Sequence, residues 1–128
     1  MIDASVLVPY SMPDAGDSDT GRLEDAFADP DTEVIAPPFV DLEVINVGAR
    51  RRGLDESTLL TIAEELENLP LTRIDPELED VTRWAARGLT AYDATYAALA
   101  VHLDARLLTL DAALLDALPE RAISAFSR

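Results

Sequence analysis

The chain has 128 residues, the size of one domain; its 48% hydrophobic and 27% charged content excludes a disordered polymer, and no apolar run of about 18 residues could span a bilayer. Its 25 acidic residues oppose ten basic ones, all arginine, for a net charge of −15, a field that repels free nucleic acid and argues against an ordinary DNA- or RNA-binding module. Without cysteine there are no disulfides, thiolate metal sites or cysteine nucleophile, and Asp3 stands where a signal peptide would need a basic stretch, so the cytoplasm is the expected location. The acidity itself fits an Arg-rich, GC-rich genome or a saline cytoplasm better than it fits a function.

In chain order, a short first strand (Met1 to Leu7) leads through a turn-rich stretch to a helix near Ser18 to Ala28, with Asp17 or Ser18 as its cap. TEVIA (32–36) reads as a buried strand. Pro37-Pro38 open a second helix, which Arg50, Arg51 and Arg52 at the negative end of its dipole and then Gly53 close. Asp55 caps a third helix, where Leu59, Leu60, Ile62, Ala63, Leu66 and Leu69 recur at helical spacing before Pro70 stops it. LTRI (71–74) is a short strand. Asp75-Pro76 restart a helix with Leu78, Val81, Trp84 and Ala85, ended by Gly88; Thr90 then begins AYDATYAALAVHL. RLLTL (106–110) is a strand, followed by a last helix (112–118) and a strand, RAIS (121–124). Strands alternating with helices in one domain, residues 1–128, predict an α/β three-layer sandwich around a mostly parallel central sheet, with ligands beyond the carboxyl ends of the strands.

Four acids stand beside apolar segments, where an unpaired charge is expensive: Asp3, Glu43, Asp93 and Asp111. Asp3 in the first strand and Asp111 at the end of RLLTL would share one sheet edge. With Val40, Val44 and Val47 as a buried stripe, Glu43 falls about 60° to one side of it and borders the core, with Asn46 and Arg50 projecting from nearly the same side. Each acid also has a plain structural explanation. Thr90-x-x-Asp93 is a capping box, Asp111 would cap the last helix, Asp3 would be a solvated terminal residue, and Glu43 a half-exposed partner of Arg50. His102, nine residues after Asp93, is half a turn out of phase and should face away from it. Tyr92, Tyr96 and Trp84 read as core. The glycine spacing at Gly16 and Gly21 lacks the Lys-Ser/Thr of a phosphate loop, and Asp17-x-Asp19-x-Gly21 lacks the ligands of a calcium loop.

Hard oxygen donors without cysteine or a usable histidine suit Mg²⁺ or Mn²⁺ rather than zinc. Such an ion orients water, lowers its pKa and neutralises charge developing on a phosphodiester, and an occupied carboxylate cluster attracts the phosphate that the empty one repels.

IDASV at the start, a glutamate inside a proline-opened helix, AYDATYAALA, and LLTLD ending eighteen residues after Asp93 together resemble the PIN-domain nucleases, and the compact form is similar to VapC toxins of toxin–antitoxin pairs. The resemblance spans the chain. It implies that Asp3, Glu43, Asp93 and Asp111 are the catalytic, metal-binding acids, with Ser5 and Thr109 as polar support. It also implies a Mg²⁺- or Mn²⁺-dependent endoribonuclease acting on RNA, a cognate antitoxin with basic groups, and a homodimer formed through the helices of residues 38–69. Only Met1-Ile2 precede Asp3, so the first strand is expected to be curtailed. Ala112-Ala113 stand where such toxins often carry basic residues, which leaves Arg50, Arg51 and Arg52 as the candidate RNA contact, unless they are only a solvated helix end. The alternatives are a catalytically degenerate PIN-like binding module and a receiver-like phosphoacceptor, the latter disfavoured by the absence of lysine.

Overall fold

The computed structural model describes residues 21–124. The expected first strand, with Asp3 and Ser5, and the expected cap of the first helix at Asp17 or Ser18 lie outside that range. Within it the elements run α1 (Gly21–Ala28), β1 (Val34–Ala36), α2 (Val40–Asn46), a π-helical turn (Val47–Arg51), α3 (Glu56–Asn68), β2 (Leu71–Arg73), α4 (Leu78–Ala85), α5 (Ala91–His102), β3 (Leu107–Thr109), α6 (Ala112–Ala117) and β4 (Ala122–Ser124).

The strands pair in parallel, Val34 opposite Leu71 and Leu107 opposite Ala122, each pair joined through helices as a parallel connection requires. Strand β3 shows why the fold is layered. Leu107 is fully buried in a cluster with Tyr96, Ala97, Ala100, Leu114 and Leu118, whereas its neighbour Leu108 packs against a second cluster built from Leu23, Val34, Val40, Val44, Ile62 and Leu66. Successive side chains of a strand point to opposite faces, so β3 has apolar packing on both sides, as a strand between two helical layers must.

Local chemistry sets the helix ends. Asp55 accepts the Thr58 N–H at 2.8 Å and Thr90 accepts the Asp93 N–H at 3.1 Å, the two caps expected of α3 and α5. Arg73 on β2 makes a fork with Asp41 on α2, at 2.6 and 2.9 Å, and donates to the Leu66 carbonyl near the end of α3 at 2.9 Å. One guanidinium thereby ties a strand to two helices and satisfies a carbonyl that the helix end leaves over.

Two features depart from the sequence pattern. The second helix does not run on as a regular α-helix to Gly53; after Asn46 it widens into the π-helical turn, closed by the Arg52 N–H donating to the Val47 carbonyl at 3.2 Å, with Gly53 at φ +60° reversing the chain. The wider turn moves Arg50 out of α-helical phase with Glu43. Leu60 and Leu78, which fall at helical spacing among the apolar residues of α3 and α4, are 65% and 77% exposed, because Ile62 and Leu66 of α3 and Val81 of α4 face the core.

Replacing Leu107 by alanine is expected to lower the unfolding free energy by about 2–5 kcal/mol, the usual cost of a cavity in a well-packed core. The exposed Leu78→Ala should change it by no more than about 0.5 kcal/mol. Urea denaturation checks both, and equal effects would contradict the packing of β3.

Candidate active site

The site is organised by α5. From Ala94 to Ala100 every residue of this helix is buried, so Asp93, half-buried in its first turn, is the last place where a carboxylate meets the edge of the core. Burial raises the Asp93 pKa above the ordinary aspartate value and the nearby negative charge of Asp111 raises it further, while a hydrogen bond with the Thr90 side chain acts in the opposite direction. Asp93 at the start of α5 thus feels the charge of an acid eighteen residues on in sequence, at the end of β3.

Asp111 is held from several sides. Its own N–H donates to Thr109 Oγ1 at 2.9 Å, and Thr109 is completely buried. Its Oδ1 accepts the N–H groups of Ala113 at 2.8 Å and Leu114 at 3.3 Å, capping α6. Both capping bonds use the same oxygen, which leaves Oδ2 outside them. Capping therefore does not consume the carboxylate.

Glu43 lies half-buried on α2, at the border of the buried stripe formed by Val40 and Val44. Its Oε1 accepts the Tyr96 hydroxyl at 2.8 Å, and Tyr96 is three residues beyond Asp93 on α5. Phe39, four residues before Glu43, meets Tyr96 and Tyr92 edge-on with ring centroids 5.6 Å apart in both cases. Helix α2 thus reaches the part of α5 that carries Asp93.

Of the candidate residues, Asp93, Asp111 and Thr109 come together, and Glu43 is linked to the same helix through Tyr96. Arg50, Arg51 and Arg52 lie on the exposed π-helical turn and its end. Among the described residues no three Asp, Glu or His side chains form a group able to hold a metal ion. His102 is exposed, as its phase predicts, and lines a separate cleft of about 310 Å³ between α4 and α5 with Asp80, Arg83, Trp84 and Arg87. Tyr96 is core, as its spacing predicts, at 2% exposed, whereas Tyr92, also read as core, is 65% exposed; a buried phenol must find a hydrogen-bond partner, which is the signal that could have pointed to an acid nearby.

The raised Asp93 pKa has a definite sign. Its protonated form is favoured by folding, so stability from this group is fully present below the ordinary aspartate range and is lost as pH rises through the folded-state value. In metal-free protein at pH 7, Asp93→Asn is expected to raise the melting temperature, and this gain should vanish at pH values below the aspartate range. A melting temperature lowered equally at both pH values would show that the carboxylate is instead needed for folding.

The PIN domain family model matches residues 1–119. Among solved structures, the crystal structure of PAE2754 from Pyrobaculum aerophilum is similar with a TM-score of 0.70 and 25% sequence identity, covering 97% of this chain and 87% of that one. No functionally curated protein shows significant sequence similarity to the chain. Layered parallel strands and a family match over most of its length establish that the chain belongs to the PIN domain family, whose members are generally nucleases.

Proposed function

We propose that the protein is a Mg²⁺- or Mn²⁺-dependent endoribonuclease that hydrolyses RNA phosphodiester bonds and acts as the toxin of a toxin–antitoxin pair, in the manner of VapC. The observation that carries the hydrolytic part is the pair Asp93 and Asp111: the Asp111 charge, added to partial desolvation, raises the cost of charging Asp93, with no arginine among the groups that shift it. Such a pair is relieved by a divalent cation, and oxygen-only donors fit a hard one, which needs only one or two protein carboxylates because it keeps waters and takes substrate oxygens. The ion would supply a water of lowered pKa and charge neutralisation at the phosphate. Asp93 and Asp111 would hold it, with Glu43 and Asp3 completing the family's set of acids, and Ser5 and Thr109 as polar support.

The remaining parts of the proposal follow the VapC resemblance. In a molecule of net charge −15, RNA would approach through the occupied metal site and local cations, for which the exposed Arg50, Arg51 and Arg52 are the candidates. Leu42 on α2 and Leu60 on α3 are 70% and 65% exposed, which supports self-association through the helices of residues 38–69. An antitoxin with basic groups would complement the acidic face, and the setting would be the cytoplasm.

Purified protein freed of any partner is expected to cleave structured RNA when Mn²⁺ or Mg²⁺ is added and to stop when it is chelated. Asp93→Asn and Asp111→Asn should each slow cleavage on the order of 100-fold or more, as loss of a metal-holding group does. Undiminished cleavage by both variants would sink the assignment. Absence of both cleavage and Mn²⁺ binding by the parent would establish the binding module instead.

A further inference from the structure

The cleft between α4 and α5 has no part in the site of Asp93 and Asp111. Arg83, Trp84 and Arg87 line it from α4 and Val101 and His102 from α5, in each case a stripe at the spacing that puts side chains on one face of a helix. The chain's single tryptophan and single histidine thus border one cavity of about 310 Å³, a size that holds a small molecule. Trp84 is half-buried and packs against the cluster of Val81, Ala94 and Ala98, so its ring is a fixed wall, and Val101, 41% exposed, adds apolar surface beside it.

Carboxylate partners are plentiful in a chain of 25 acids and ten arginines, and Arg73, Arg83 and Arg121 each take one. Arg87 takes the ring instead. Its guanidinium lies over Trp84, 4.6 Å from the ring centroid, and among the described residues it has no carboxylate partner. Attraction to a ring engages no N–H donor in a hydrogen bond, so Arg87 keeps its capacity to fork a carboxylate or a phosphate. Arg83, by contrast, is shared between Glu79 at 2.6 Å and Asp80 at 3.9 Å. Asp80 also lines the cleft, and it opposes a ligand carrying many negative charges more than one carrying a single anionic group.

We propose that this cleft binds a small organic anion: one carboxylate or phosphate, held by Arg87 with His102 as a second donor, on a compact aromatic or apolar body that packs against Trp84, Ala98 and Val101. The site uses neither the metal nor the RNA of the reading above and stands apart from it. Because the net charge of −15 repels anions as a whole, affinity has to come from these local groups and has to fall when Arg87 is removed.

Since the tryptophan and the histidine are each unique, one fluorescence signal and one imidazole proton resonance report on this cleft alone. The test titrates the full chain at fixed salt with phenyl phosphate, benzoate, benzyl alcohol and inorganic phosphate, following Trp84 emission and the His102 ring proton by NMR. One or both aryl anions are expected to shift both signals saturably with a single Kd, about 10-fold or more tighter than benzyl alcohol or inorganic phosphate, since only they combine a charge-assisted hydrogen bond with apolar contact. The tighter of the two shows whether the ligand's anionic group is phosphate or carboxylate. Arg87→Gln, at an exposed position, should weaken that anion about 10-fold or more and leave the melting temperature nearly unchanged. Absence of a saturable shift with both aryl anions overturns the proposal, as does an unchanged Kd in Arg87→Gln. Inorganic phosphate binding as tightly as phenyl phosphate would reduce the cleft to general ion binding, and benzyl alcohol binding as tightly would reduce it to an apolar groove; either result also overturns it.

Discussion

Complete burial of α5 between Ala94 and Ala100 is the constraint from which the rest of the arrangement follows. A helix surrounded on all sides must present small side chains where neighbours come close, and alanine occupies four of these seven positions. Polar atoms inside must be satisfied locally or by a specific partner. Thr95 solves this by donating to the Ala91 carbonyl at 2.9 Å, Tyr96 by donating to Glu43. A carboxylate one turn further in would have neither water nor a cation. Asp93 stands where the burial begins, and so carries a pKa shifted by its surroundings while remaining within reach of solvent.

Charge is distributed to the same effect. Arg73 is committed to Asp41, Arg83 to Glu79 at 2.6 Å, Arg121 to Asp104 at 2.7 Å, and Arg87 lies over the Trp84 ring at 4.6 Å. The partly buried Arg73 pair serves the fold, whereas the exposed Arg83 pair contributes little, about 0.3–0.5 kcal/mol for its helical spacing. None of these cations is among the causes of the Asp93 shift. Burial and the Asp111 charge thus outweigh, at Asp93, the hydrogen bond with Thr90 that favours its charged form.

Much of this was legible in the sequence because the signals are local. The caps at Asp55, Thr90 and Asp111 announce their helices, and the short β-rich runs fall where strands form, because a side-chain oxygen near an unsatisfied N–H or an apolar run between turn residues works the same way in any fold. What stayed hidden depends on distant partners. Leu60 and Leu78 obey helical spacing, yet whether a stripe is buried depends on how wide the neighbouring helix is and where it lies. The π-helical turn after Asn46 has no strong local code. The pairing of Tyr96 with Glu43 spans α3, β2 and α4, so either residue read alone looks like ordinary core or border.

Capping is the plain explanation for Asp93 and Asp111 when only the sequence is considered, and the structure places both residues at helix starts. The Asp93 N–H donates to Thr90 Oγ1, and a hydrogen bond with the Thr90 side chain also favours the charged Asp93 carboxylate, so residue 93 is tied to the start of α5. Asp111 closes α6 with Oδ1 alone, and its backbone is anchored on the buried Thr109, so the carboxylate plane is set by bonds that leave its second oxygen outside them. Both acids are therefore tied to helix starts, Asp93 through Thr90 and Asp111 through one carboxylate oxygen. A carboxylate whose direction is fixed by its own helix has given up part of its freedom on folding, as the two N–H groups of α6 require of Asp111.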